Sequence, residues 1–149
     1  MVLSKKKLNL IFICSHNDVR SQIAEAFLHK YASNKFNVFS AGFQIHAIHP
    51  LTYTVMKEVG LNLKNHHSKV IKELLHKHHF GIVISLCGKG EKLCPIFPGI
   101  DTHLTWNIED PSTFQGSKQE KLEKFREIRD KIEDEVKQFL NINELQLIS

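Results

Sequence analysis

A chain of 149 residues is about one domain, and at that length it buries roughly 68–70% of the surface its unfolded form exposes, so it needs no disulfide or metal staple to fold. Apolar residues make up 42% and charged residues 24%, which excludes global disorder, collagen-like repeats and coiled-coil composition. The net charge of +4 permits anionic ligands of any size, but the basic residues are scattered and no aromatic-plus-basic RNA-binding motif occurs, which argues against nucleic acid.

The apolar run Leu10 to Cys14 is too short to cross a bilayer, and Met1 to Lys7 carries positive charge without a signal-peptide core. The expectation is a cytoplasmic protein that binds no membrane. Three cysteines, Cys14, Cys87 and Cys94, are an odd number in a chain without an export signal. They form a poor disulfide framework and a better reactive-thiol set.

In chain order, Leu8 to Ile13 is nearly all apolar, as a strand buried on both faces is. Ser21 to Tyr31 is helical, with Ile23, Phe27 and Tyr31 recurring every four residues beside Ala24 and Leu28. Asn37 to Ser40 is a short second strand, closed by Ala41 and Gly42. Pro50 opens a second helix with the stripe Leu51, Val55, Met56 and Val59, and Gly60 stops it. Val70, Ile71, Leu74 and Leu75 mark a third helix. Gly81 to Leu86 is a third buried strand running into Cys87, and Thr102 to Trp106 is a fourth. From Lys118 to Leu140, the stripe Leu122, Phe125, Ile128, Ile132, Val136 and Phe139 predicts a long amphipathic helix. The residues past it, Asn141 to Ser149, have no evident role. Alternating strands and helices predict an α/β fold: a four-stranded parallel sheet with helices on both faces, one domain over 1–149 with its core at about 8–140. Ligands of such sheets sit beyond the carboxyl ends of the strands, where Cys14 and Cys87 both fall.

Between the first strand and the first helix lies Cys14-Ser15-His16-Asn17-Asp18-Val19-Arg20-Ser21, a cysteine followed after five residues by Arg-Ser. A short loop feeding a helix N-terminus can aim successive amides inward as an anion nest, to which Ser15, His16, Asn17, Asp18, Val19, Arg20 and Ser21 would contribute. Arg20 adds a planar fork that grips two oxygens of a tetrahedral oxyanion. Cys14 then sits beneath the central atom as a nucleophile, in a positive field that favours a thiolate, and Ser21 can donate its hydroxyl to it.

Cys87 and Cys94 are seven apart with Gly88 and Gly90 between them. On a rigid helix they would stand ~10 Å apart, so a bond between them requires the segment to loop or unwind; two buried thiols or half of a zinc site are the alternatives. Zinc sites usually draw on Cys pairs two to four apart, a spacing that is absent, and none of the ten histidines pairs with a second ligand cluster. No metal is expected. Three thiols invite one chemistry: Cys14 attacks an oxyanion, Cys87 attacks the adduct, and Cys94 attacks Cys87 to leave a disulfide, which supplies two electrons. Asp110, before Pro111 in the loop after the fourth strand, is placed to protonate a leaving oxygen.

These segments, together with Ser40-Ala41-Gly42, Val55-Met56-Lys57-Glu58-Val59-Gly60, Cys94-Pro95 and Phe125-Arg126-Glu127-Ile128-Arg129-Asp130, resemble the thioredoxin-coupled arsenate reductases of the low-molecular-weight tyrosine phosphatase superfamily. The resemblance spans about Leu8 to Leu140. The phosphatase loop is common to both branches of that superfamily; the Cys87…Cys94-Pro95 pair is specific to the reductases.

The resemblance implies that Cys14 forms the arseno-adduct, that Arg20 and the loop amides hold the oxyanion, and that Asp110 is the acid. It implies that Cys87 releases arsenite and Cys94 traps Cys87, with thioredoxin or a similar dithiol as the external reductant and no bound cofactor. Asn17 would brace the loop. Phosphate and sulfate would compete with arsenate, a weak phosphatase activity is compatible, and a monomer is implied. The alternative is a low-molecular-weight tyrosine phosphatase using only Cys14, Arg20 and Asp110. Against it, Ser112-Thr113 stands where such phosphatases usually carry a Tyr pair.

Three loop positions depart from the pattern: His16 replaces the phosphatase Gly, Val19 stands where many members have Cys or a small residue, and Asp18 adds a negative charge that must point away from the anion. Some relatives bind potassium near Asn17, Glu25 and Ser40 with an Asp where Lys69 stands here. The expectation is that the Lys69 ammonium replaces the ion, so that no potassium is needed.

Overall fold

The computed structural model describes residues 6–88 and 102–148, with side chains as far as residue 141. Four parallel strands, β1 (Leu8–Cys14), β2 (Phe36–Gly42), β3 (Ile82–Cys87) and β4 (Thr102–Asn107), lie in the order β2-β1-β3-β4. The helices are α1 (Arg20–Ala32), α2 (Pro50–Glu58), α3 (Ile71–Lys77) and α4 (Lys118–Ile148), and the short 3-10 turn Pro111–Thr113 follows β4. The α/β fold with a four-stranded parallel sheet is as the alternation of elements predicts.

The near-continuous apolar run of β1 has its cause in two covered faces. Leu10, Phe12 and Cys14 point into a core shared with Ile23 and Phe27 of α1, Val55 and Met56 of α2, and Phe125, Ile128, Ile132 and Val136 of α4. Ile11 and Ile13 point the other way, onto Ile71 of α3, Val83 and Phe80. Each strand residue therefore changes face with its neighbour, as the pleat requires.

Helix ends follow local chemistry. Pro50 occupies the first turn of α2, where the ring of His49 accepts the Leu51 amide. The helix closes with Gly60 at φ 81°, where the Gly60 and Leu61 amides return to the carbonyls of Lys57 and Met56. At the start of α4, Ser117 accepts the Glu120 amide while the Glu120 carboxylate accepts that of Ser117, a reciprocal cap. Helix α4 also continues past Leu140, the end its apolar stripe predicts, to Ile148: no Gly or Pro interrupts 141–148.

Two expected stripe residues are on the surface. Tyr31 is exposed and donates its hydroxyl to Glu133 of α4, and Leu75 is exposed on α3. No helix among the described residues is long and apolar enough to cross a membrane. The strand order reverses direction between β1 and β3, so the crevice at their carboxyl ends is the place where a ligand would lie.

Candidate functional site

The loop from Cys14 to Ser21 leaves β1 at that crevice. Its carbonyls are occupied on the outside. Ser15 accepts the amides of Phe43 and Gln44, and His16 accepts that of His46. The Asn17 carbonyl accepts Gln22 and Ser68, and that of Asp18 accepts the His49 amide and the Thr52 hydroxyl. In a trans peptide the N–H points opposite to the carbonyl, so the amides of His16, Asn17, Asp18 and Val19 turn toward the loop's interior. Inward-facing amides are the arrangement that an anion nest requires. The fold enforces it through Gly42: a Cβ there would lie 2.7 Å from the Asn17 nitrogen and 2.8 Å from the His16 carbonyl carbon. The loop peptide thus lies directly on the end of β2, and only glycine leaves room.

Asn17 is the hub of the loop. It is fully buried and holds φ 54°, a left-handed conformation that Asn tolerates better than most residues. Its side-chain amide donates to Ser21 Oγ (2.7 Å) and Ser40 Oγ (3.0 Å), and its Oδ1 accepts Gln22 Nε2 (3.0 Å) and the Lys69 amide (2.9 Å). Both lone pairs and both protons are used. Ser21 Oγ lies 2.8 Å from Cys14 Sγ. A thiolate can only accept, so once Cys14 is ionised the Ser21 hydroxyl, which accepts from Asn17, donates its proton to the sulfur. Cys14 itself is buried at the loop's base and is free.

Arg20, also buried, donates Nη1 to the Ile108 carbonyl (2.9 Å) and places Nη2 3.7 Å from Asp110 Oδ2. This links the anion loop to the segment after β4. Asp110 caps the 3-10 turn, accepting the Ser112 amide and hydroxyl on Oδ1 (2.9 and 2.7 Å), so Oδ2 is the oxygen turned toward Arg20. Ser15, Gly88, Asn107, Glu109 and Asp110 line an open cavity of about 580 Å³ at this edge. Asp110 and the loop therefore border one space.

Asp18 does not simply point away. Burial, then the nearby Asp110, push its carboxyl up, while His16, its own amide and His46 pull it down. It stands at the rim near the acid. The histidines also depart from the expected isolation: His46, from the segment after β2, stacks on His16 with ring centroids 3.9 Å apart and planes within 6°.

Cys87 ends β3, the strand beside β1, and is disulfide-bonded. Ile13 pairs with Ser85, so extending the register by one residue sets Cys14 level with Leu86 and Cys87 one residue beyond. At ~4.8 Å between strands and ~3.3 Å along them, the two Cα atoms are about 6 Å apart, within disulfide reach. The pleat works against that reach. Cys14 faces the core of Leu86, whereas alternation along β3 from Val83 sets Cys87 on the other face. Cys94 lies outside the described residues.

Behind the loop, Lys69 Nζ donates to the His67 carbonyl (2.7 Å) and stands in the field of Glu25; burial pushes its ammonium down against that field. His66 Nδ1 lies 3.1 Å from Glu25 Oε2 and 3.1 Å from Gln22 Oε1. Gln22 and Ser68 are the site residues that sequence reasoning missed. A polar residue in the first turn of a buried helix was the one available signal for Gln22, and the Ser68 position carries none.

The model of the family described as low molecular weight phosphotyrosine protein phosphatase matches residues 9–147. A protein named arsenate reductase from Oceanobacillus iheyensis is 36% identical over 143 residues, covering 95% of this chain and 100% of its own. A solved structure described as an arsenate reductase in the phosphate binding state superposes with TM-score 0.73 at 29% identity, covering 90% of this chain and 97% of that one. A thioredoxin-dependent arsenate reductase of Corynebacterium glutamicum gives TM-score 0.72 at 28% identity, covering 97% of this chain and 65% of that one.

Proposed function

Since the chain belongs to the low molecular weight phosphotyrosine protein phosphatase family, we propose that within it this protein reduces arsenate to arsenite and is re-reduced by a thioredoxin-type dithiol. The observation that carries the reading is the placement of two cysteines at the carboxyl ends of adjacent strands: Cys14 at the base of an inward-facing amide loop, and Cys87 at the end of β3. The relatives named arsenate reductase, one of them thioredoxin-dependent, support it.

Arsenate enters the nest with its oxygens on the amides and on Arg20. The Cys14 thiolate, held by the Ser21 hydroxyl, attacks arsenic; an As–O bond breaks and Asp110 supplies the proton that lets water leave. The Cys87 thiolate then attacks the Cys14 sulfur. An S–S bond forms, the S–As bond breaks, and arsenic takes the electron pair and departs as arsenite. Cys94 attacks the Cys87 sulfur, frees Cys14 and leaves a Cys87–Cys94 disulfide for the dithiol to reduce. Two thiols lose two electrons and As(V) gains two. Because pleat alternation sets Cys87 on the face opposite Cys14, the second step requires the end of β3 to turn, and Gly88 follows it directly.

Phosphate and sulfate compete, since the nest recognises a tetrahedral oxyanion. No bound cofactor is needed, and Lys69 stands in for a potassium ion. One chain supplies every site residue, so a monomer suffices, and a cytoplasmic setting provides the reductant. Hydrolysis of phosphotyrosine would use the same Cys14, Arg20 and Asp110. The turn after Asp110, however, presents Ser112 and Thr113, and Ser112 is bonded to Asp110 itself.

The test is arsenate-dependent NADPH oxidation with thioredoxin and thioredoxin reductase. Sustained turnover is expected. Cys94→Ser should abolish it while leaving any aryl-phosphate hydrolysis intact. Turnover unchanged in Cys94→Ser would overturn the three-thiol relay, and hydrolysis of aryl phosphates without arsenate-dependent oxidation would favour the phosphatase.

A further inference from the structure

At the rim of the anion loop, one ring nitrogen of His16, one of His46 and a carboxylate oxygen of Asp18 all lie within 4.8 Å of one another. We propose that these three residues form a binding site for a single divalent transition-metal ion of the zinc, cobalt or nickel type.

The donor set suits such ions: two imidazoles and one carboxylate match borderline cations, whereas calcium and magnesium call for oxygen cages. Distances are close to what coordination needs. With metal–ligand bonds of ~2.0–2.2 Å, tetrahedral ligands stand about 3.3 Å apart. The donor atoms, within 4.8 Å of one another, need to close by up to about 1.5 Å to reach that separation. The rings are stacked, 3.9 Å between centroids and with planes within 6°, so one of them must turn about its side-chain bonds to bring both nitrogens onto a single ion.

The backbone that carries these ligands is held independently of any ion. His16 and Asp18 are alternate residues of the loop that Asn17 fixes between them. His46 is stitched to the loop by its amide on the His16 carbonyl, and its carbonyl accepts Ser68, which also donates to Asn17. Preorganised carriers lower the ordering cost of binding. The electrostatics agree: Asp18 already sits in the attractive field of both imidazoles. Two ligands are half-buried and His46 is exposed, so the site is open to solvent and leaves a fourth position for water.

Isothermal titration of zinc chloride into the protein with its Cys87 disulfide intact tests this, alongside His46→Asn and Cys14→Ser. The expected result is one saturable ion per chain, binding retained in Cys14→Ser, and binding weakened in His46→Asn by at least the roughly 10–100-fold that even an outer-shell change costs a metal site. His46 is exposed, so its replacement leaves the fold in place. Zinc should also shift the ring resonances of His16 and His46 in histidine NMR spectra. No saturable binding, binding undiminished in His46→Asn, or binding lost only in Cys14→Ser would each overturn the assignment.

Discussion

The hydroxyl of Ser21 stands 2.8 Å from the sulfur of Cys14 and accepts the side-chain amide of Asn17. A thiolate at Cys14 can only accept, so the Ser21 proton serves it, and a hydrogen bond to a charged partner is worth about 1.5–3 kcal/mol. Ser21→Ala should lower arsenate kcat/KM by roughly 10- to 100-fold. Alkylation of Cys14 by iodoacetamide at fixed neutral pH should slow with it, which a purely structural change in oxyanion contacts would not produce.

Asn17 is different in kind, because four buried partners depend on it. Asn17→Ala would leave donors from Gln22 and Lys69 and acceptors on Ser21 and Ser40 without their partner, and would place a Cβ-bearing residue other than Asn at φ 54°. A loss of about 2–4 kcal/mol is expected, a Tm drop of roughly 5–15 °C. Asn17→Gly separates the two causes: it removes the backbone strain and keeps the polar deficit. Scanning calorimetry of both variants should rank wild type above Asn17→Gly and Asn17→Gly above Asn17→Ala.

Asp18 makes stability depend on pH in a stated direction. Burial and Asp110 hold its carboxyl above the ordinary value, so folding favours the protonated form. That contribution is complete below the ordinary carboxylate range and is lost as pH rises through the raised value. Asp18→Asn should melt higher than wild type at neutral pH, with the gap closing on acidification below the ordinary range. With one negative charge removed from the rim, inorganic phosphate should also inhibit it about tenfold more tightly, about 1.4 kcal/mol.

Lys69 gives an ion test. Its Nζ is tied to the His67 carbonyl beside Glu25, behind the loop hub. Exchanging sodium for potassium should leave turnover unchanged. Lys69→Ala should loosen the loop and raise arsenate KM several-fold, about 1 kcal/mol, and a monovalent cation supplied at high concentration should recover part of it.

Much of the fold was legible in the chain because its signals are local. The run Leu10 to Ile13, the four-residue spacing of Ile23 and Phe27, Pro50 with Gly60, and the stripe from Phe125 to Phe139 each state their own environment. The anion loop was legible for a related reason: Cys14 and Arg20 are close in sequence and sit between a strand and a helix. What stayed hidden is long-range. His46 reaches His16 across twenty-nine intervening positions, and Ser68 reaches Asn17 across fifty. No periodicity encodes either. The end of α4 was misplaced since an apolar stripe marks where a helix is buried and not where its backbone stops.

The pleat between β1 and β3 has one more consequence. Cys14 and Cys87 are near neighbours along the chain path of the sheet yet look out from opposite sides of it. The Cys87 disulfide and the Cys14 thiol therefore do not share a face, and a sulfur–sulfur contact between them requires the last residue of β3 to turn over.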